Sequence, residues 1–161
     1  MRNAADTAAA QQIGVGIMSF RTLLIGGAAA LTMTLALPPA YGGSYVSVEQ
    51  YGAQNSFGSA QYGKHNRLTV YQNGHFNNSI SMQTGTRNRV VIGQDGRGHN
   101  ANAAQFGRGN IAGIAQFGRG HTAITTQDGH GNAVGVIQAG RGNSANVTQI
   151  GHGNVSVIVQ D

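Results

Sequence analysis

From residue 44 onward the chain alternates between two sets of positions in short runs that repeat in a fixed phase. Residues 110–116 are representative. Asn110, Ala112, Ile114 and Gln116 fall on one face, and Ile111, Gly113 and Ala115 on the other, which is the two-residue period of a β-strand. Seven residues in this form span about 23 Å. Between the runs lie segments such as Gln94-Asp95-Gly96-Arg97-Gly98, whose glycines are free to take positive φ and reverse the chain. Strand and turn together occupy eleven residues, and the pattern predicts eleven strands between about 44 and 160.

Glutamine marks the end of every run, at Gln50, Gln61, Gln72, Gln83, Gln94, Gln105, Gln116, Gln127, Gln138, Gln149 and Gln160. Two residues after each of the first ten comes a turn glycine: Gly52, Gly63, Gly74, Gly85, Gly96, Gly107, Gly118, Gly129, Gly140 and Gly151. Three residues later stands Asn55, Asn66, Asn77, Asn88, His99, Asn110, His121, Asn132, Asn143 or Asn154. A phase this regular means one small unit stacked many times, so function belongs to the whole surface or to the ends of the stack.

The inward positions between the amides separate alternate strands. One set reads Val46/Val48, Leu68/Val70, Val90/Ile92, Ala112/Ile114, Val134/Val136 and Ser156/Ile158. The other reads Phe57/Ser59, Ser79/Ser81, Ala101/Ala103, Ala123/Thr125 and Ala145/Val147. The true period is therefore twenty-two residues, a strand–turn–strand–turn coil. Large aliphatic groups on one sheet face small groups on the other, which fills a narrow interior without overpacking. The predicted fold is all-β: a parallel β-solenoid with two facing parallel sheets, its coils about 4.8 Å apart. Like residues then lie above like, and each internal glutamine or asparagine is placed to bond its counterpart one coil away.

The outward faces differ as well. The small-core sheet presents Asn78, Asn100, Asn102, Thr122, Thr126, Ser144, Asn146 and Thr148, a face that reads as solvated. The large-core sheet presents Ile111, Gly113, Ala115, Ile137, Val155, Val157 and Val159, which reads either as lateral packing surface or as ordinary surface scatter.

Residues 1–40 read differently. Residues 23–37 (LLIGGAAALTMTLAL) form an apolar stretch too short for a membrane span of about 20 residues. Arg21 precedes it and Pro38-Pro39-Ala40 follows. This order is that of a secretory signal peptide, with cleavage expected near Ala40 and Met18 an alternative start; a buried helix is the competing reading. The mature chain, 41–161, is then the solenoid. Without Arg2, Arg21 and Asp6, the ten basic and five acidic residues become eight and four.

Charged residues make up 9% of the sequence and aromatics 6%, against 26 glycines, which argues for a thin core of small side chains and amides. The net charge of +5 is spread through the repeats and not gathered into a basic stripe, so no nucleic-acid partner is expected. Cysteine is absent, which excludes disulfides and thiolate metal sites. Glu49, Asp95, Asp128 and Asp161 are too scattered to form a catalytic site, so no enzyme, cofactor or small-molecule substrate is expected. His130 and His152 share an edge without an acidic companion, and turn preference explains them better than a metal does. A calcium-binding solenoid would need recurrent aspartates, and an ice-binding one a regular threonine array.

The pattern Ser-x5-Gln-x-Gly-x2-Asn-x5-Gln, from Ser44 through Gln50, Gly52 and Asn55 to Gln61, resembles the curlin repeat of bacterial curli subunits. The resemblance covers essentially all of 44–160. It implies a secreted β-solenoid that polymerises as a functional amyloid, forming extracellular, cell-surface fibres for adhesion and biofilm matrix. It also implies export through an outer-membrane secretion pore and the company of a minor nucleator subunit, which is the alternative role for this chain. The family's internal ladder residues correspond to the glutamine and asparagine positions above. Two departures stand out: His99 and His121 occupy asparagine positions, and few residues separate Ala40 from Ser44 where family members carry a polar targeting segment.

An open solenoid end leaves backbone groups unpaired. The last strand (VSVIVQ) is β-branched, uncharged and free of proline, so Val155, Val157, Ile158 and Val159 are expected to form a polymerising edge. Arg97, Arg119 and Arg141 recur along one turn edge, and Arg108, His130 and His152 along the other. They read as a solvated rim or as gatekeepers against premature assembly.

Overall fold

The computed structural model describes residues 18–23 and 43–161. Apart from 18–23, the expected signal peptide lies outside the described residues. Among the described residues there are twelve strands: β1 (Met18–Leu23), β2 (Tyr45–Ala53), β3 (Ser56–Lys64), β4 (Arg67–His75), β5 (Asn78–Thr86), β6 (Arg89–Arg97), β7 (Asn100–Arg108), β8 (Ile111–Arg119), β9 (Thr122–His130), β10 (Ala133–Arg141), β11 (Ser144–His152) and β12 (Val155–Gln160).

From β2 onward, even-numbered and odd-numbered strands separate into two sheets, and β1 joins the even-numbered one. One has the order β1-β2-β4-β6-β8-β10-β12 and the other β11-β9-β7-β5-β3. Every pair within β2–β12 is parallel and displaced by twenty-two residues, as in Val46↔Leu68 and Gln116↔Gln138. The chain thus winds as the expected solenoid, and β2–β12 are its eleven strands. The register follows from the pleat: a slip by one residue would turn every inward side chain out to solvent.

The core is the thin one that the composition demands. Leu68, Val70, Val90, Ile92, Ala112, Ile114, Val134 and Val136 line one wall, and Ala101, Ala103, Ala123, Ala145 and Val147 the other, all buried. Ser79 and Ser81 are buried on the small-residue wall beside them. Among the described residues the buried apolar cluster runs from Val46 to Val147.

Two features depart from the sequence reading. β1 comes from the segment read as a leader, yet it runs parallel to β2 from Met18↔Val46 to Leu23↔Tyr51. An unpaired strand edge offers a row of backbone donors and acceptors to any extended segment within reach. The second departure is the outer face of the small-core sheet, which is less polar than expected: Ile80, Met82, Ile124 and Ile150 are all exposed there.

Candidate functional site

The turn is the first element that brings the coils together. At Gly74 φ is +114°, and a Cβ built there would stand 1.9 Å from the carbonyl oxygen of Gly96 in the next coil. The same approach, at 1.9–2.2 Å, recurs from Gly52 to Gly129. Glycine is required at these positions by the adjacent coil as much as by its own φ. At Gly140 and Gly151, which have no turn glycine stacked beyond them, nothing lies closer than 3.7 Å.

A second left-handed residue follows two positions later. Gly98, Gly109, Gly120, Gly131, Gly142 and Gly153 take φ of 67–74°, but the first four turns place Gln54, His65, Phe76 and Arg87 there, at 58–61°. A non-glycine residue held in this region costs about 1–3 kcal/mol. The sequence reading did not single these four out, although their phase matches that of the later glycines.

Each strand ends on an internal glutamine. In one sheet the side chains bond in series from Gln50 through Gln72, Gln94, Gln116 and Gln138 to Gln160. In the other they run from Gln61 through Gln83, Gln105 and Gln127 to Gln149. In every step Nε2 donates to Oε1 of the next coil; beyond the first step of each ladder the distance is 2.8–3.0 Å. From Gln72 onward Nε2 also donates to a backbone carbonyl of the facing strand, as Gln116 does to Asn100 O at 3.1 Å. The carbonyl can only accept, so it fixes which end of each amide is nitrogen. The ladders therefore have a direction.

The asparagines seal the turns. Asn88 is typical: Nδ2 donates to Thr84 O at 3.2 Å and to Gly107 O at 3.1 Å, and Oδ1 accepts the backbone N–H of Asn110 at 3.0 Å. Asn55, Asn66, Asn77 and Asn110 make the equivalent set. Asn132 accepts the backbone N–H of Asn154 and donates to Gly151 O. Asn143 and Asn154 each donate to the carbonyl four residues back. Ser44 heads one column, its Oγ accepting from Asn66 N. Of the ladder side chains, Gln61, Asn143, Asn154 and Gln160, all in the outermost coils, are not fully buried.

His99 and His121 occupy the same seat as the asparagines. Both rings are buried, and they stack 5.0 Å apart at an interplanar angle of 6°. Nε2 of His99 meets Asp95 O at 3.2 Å, and Nε2 of His121 meets Phe117 O at 3.0 Å. Burial, followed by the neighbouring His121, holds the His99 imidazole below its ordinary range, against the opposing pull of the Asp95 and Gly118 carbonyls and the Asp95 carboxylate.

The turn edges carry the expected charged columns. Arg97, Arg119 and Arg141 lie in register on one edge, with His75 preceding them; Arg108, His130 and His152 do so on the other. Arg97 Cζ sits 5.2 Å over the Phe76 ring, and the His130 and His152 rings meet edge to face at 5.0 Å. Among the described residues, no group of three His, Asp or Glu side chains is gathered as metal ligands would be.

The two ends of the stack are unlike. At the β2–β3 end, Oε1 of Gln50 and Gln61 has no glutamine donor among the described residues, and β1 runs along β2. At the β11–β12 end, Nε2 of Gln149 and Gln160 bonds Ala133 O and Ser144 O and has no further glutamine to reach. Val155, Val157 and Val159 are exposed on the outer face of β12, while Ile158 turns inward against the core.

The profile of the curlin associated repeat matches residues 66–96 and 122–151. No curated protein and no solved structure matches the chain. The repeat family and the solenoid together point to a non-enzymatic protein.

Proposed function

Proceeding from the membership of this chain in the curlin-repeat family, we propose that it is a secreted structural subunit that polymerises head to tail into curli-like extracellular amyloid fibres. The observation that carries this reading is the complementarity of the two ends. One end offers glutamine N–H donors at Gln149 and Gln160; the other offers glutamine oxygen acceptors at Gln50 and Gln61. Because β2–β12 are odd in number, a second copy turned by half a turn about the axis continues both ladders in the same direction, its Gln50 following Gln149 and its Gln61 following Gln160. A head-to-tail contact of this kind does not close on itself, so it grows a filament.

The leading segment fits this reading in an unplanned way. β1 occupies the β2 edge that an incoming copy would use. Removal of the segment up to about Ala40, as in secretion, frees that edge. Adhesion, a place in the biofilm matrix, export through an outer-membrane pore and cooperation with a nucleator belong to the same proposal and rest on the family.

The test is a thioflavin-T time course on residues 41–161 diluted from denaturant at neutral pH, with and without preformed seeds. A lag abolished by seeds is the expected result. Immediate growth without a lag assigns the nucleator role instead. A flat trace from a soluble, β-rich protein makes the chain a monomeric solenoid and overturns the proposal.

A further inference from the structure

We propose that the stacked pair His99 and His121 is a pH-set lock on the solenoid: the coils close over these rings only when both are neutral with the hydrogen on Nε2. Hydrogen-bond chemistry carries the argument. On one side of each ring Nε2 meets a backbone carbonyl, Asp95 O at 3.2 Å or Phe117 O at 3.0 Å. A carbonyl can only accept, so Nε2 must bear a hydrogen. On the other side Nδ1 faces a backbone N–H of the next coil. His121 N donates to His99 Nδ1 at 3.4 Å, and Asn143 N donates to His121 Nδ1 at 3.1 Å. A backbone N–H can only donate, so Nδ1 must be bare. One tautomer of the neutral ring satisfies both sides. A second proton would set N–H against N–H at two successive coil contacts.

Asparagine meets the same two demands without titrating. At Asn77, Nδ2 donates to Asn73 O at 3.2 Å and Oδ1 accepts from His99 N at 3.1 Å. The imidazole copies this donor and acceptor pair and adds a proton-binding site to it. That site lies on the path of coil closure, because the N–H that Nδ1 accepts belongs to the following coil.

The surroundings do little to rescue a charged ring. Among the groups on the strands packed against the pair, Asp95 on β6 is the acid near this turn, and Arg97 on β6 and Arg119 on β8 are bases at the same turn edge. His75 on β4 and Arg141 on β10 continue that column. Arg108 on β7 and Asp128 and His130 on β9 sit at the opposite turn, as does His152 on β11; Arg89 begins β6 there. β5 contributes no titratable group.

The direction of the pH effect follows from which state holds the proton. The ordinary histidine value is 6.5, and burial lowers that of His99 in the folded chain. Between the folded value and 6.5 the unfolded chain binds a proton that the solenoid does not. The contribution of the lock is therefore full above pH 6.5 and is lost as pH falls below it. Each proton that must leave makes the folding equilibrium about tenfold less favourable per pH unit in that window.

The experiment compares residues 41–161 with the His99→Asn/His121→Asn and His130→Asn/His152→Asn double variants between pH 5 and 8. Far-ultraviolet circular dichroism reads solenoid formation, and thioflavin-T separately reads fibre growth. The parent chain and the His130→Asn/His152→Asn control are expected to lose solenoid by about tenfold per pH unit in the window just below pH 6.5, while His99→Asn/His121→Asn stays flat. Equal slopes in all three chains, or a flat parent, overturn the lock. Should His99→Asn/His121→Asn fail to fold, imidazole ¹⁵N shifts of the parent decide: hydrogen on Nε2 of both buried rings supports the lock, and hydrogen on Nδ1 overturns it. The lock concerns coil closure and not fibre formation. An intact dichroism slope with no thioflavin-T growth would sink the fibre proposal and leave the lock standing.

Discussion

Gln138 donates through Nε2 to Oε1 of Gln160 at 2.9 Å, and Gln160 is the last rung of its ladder. The rung is part of an edge strand, β12, whose backbone offers a row of unpaired groups and whose outer side chains Val155, Val157 and Val159 are exposed. In the fibre proposal this edge is where the next copy adds. Deleting 155–161 removes the uncharged β-branched strand and leaves β10, which ends in Arg141, as the edge of that sheet. Seeded growth is expected to slow by about tenfold or more, equivalent to about 1.4 kcal/mol or more on the barrier. Unchanged elongation of the truncated chain on parent seeds would show that growth does not use β12.

Inside the stack the same ladder is a stability device. Gln116 accepts from Gln94 and donates to both Gln138 and Asn100 O, and its side chain is fully buried. Gln116→Leu keeps the volume close but strands a donor on Gln94 and acceptors on Gln138 and Asn100. Leaving a buried polar group unpaired costs about 1–3 kcal/mol. The variant is expected to lose about 3 kcal/mol or more in guanidinium unfolding of the solenoid. A shift below about 0.5 kcal/mol would mean that the ladder contributes little beyond its packing.

Much of this arrangement was legible before any coordinates, for a definite reason. In a stack, one residue's environment is nearly that of its counterpart twenty-two residues on, so Val70, Ile92, Ile114 and Val136 report the same wall four times. That redundancy made sheet membership, register and burial readable from period alone. What escaped were features without redundancy or without a hydropathy signal. β1 pairs through its backbone, which composition does not reveal. The second bond of each glutamine goes to a backbone carbonyl of the facing strand, a partner with no side-chain signature. Ile80, Met82, Ile124 and Ile150 interrupt the polar outer face of the small-core sheet at scattered positions. Ser81 and Thr125 were placed inward by alternation, but it is the structure that leaves their hydroxyls buried without a partner.

The four left-handed non-glycine residues offer a gain in stability. Arg87 sits at φ 59°, where its counterparts from Gly98 onward are glycine. Its backbone N–H donates to Lys64 O at 3.0 Å, a bond that does not depend on the side chain. Arg87→Gly relieves a conformation costing about 1–3 kcal/mol, offset by about 0.4–1 kcal/mol of extra freedom in the unfolded chain. The expected net is stabilisation of about 1 kcal/mol, read as a higher guanidinium midpoint at unchanged slope. A lower midpoint would show that the arginine side chain contributes more to this turn than its backbone costs.

The turn glycines distinguish folding from assembly. At Gly118 a Cβ would stand 2.2 Å from Gly140 O, a backbone atom of the next coil that cannot move aside alone. Gly118→Ala is therefore expected to destabilise the solenoid by about 3 kcal/mol or more. Gly151 has a similar φ, +107°, but its nearest neighbour is Asn154 Nδ2 at 3.8 Å. Gly151→Ala carries the backbone strain, about 1–3 kcal/mol, without a clash inside the chain. If a second copy stacks on β11 in the register of the other coils, its own turn brings a carbonyl against that methyl, as Gly140 does at Gly118. The variant is then expected to form solenoid by circular dichroism yet to elongate parent seeds poorly at this end and to block further addition. Elongation by Gly151→Ala at the parent rate would show that copies do not meet at β11 in the register of the internal coils.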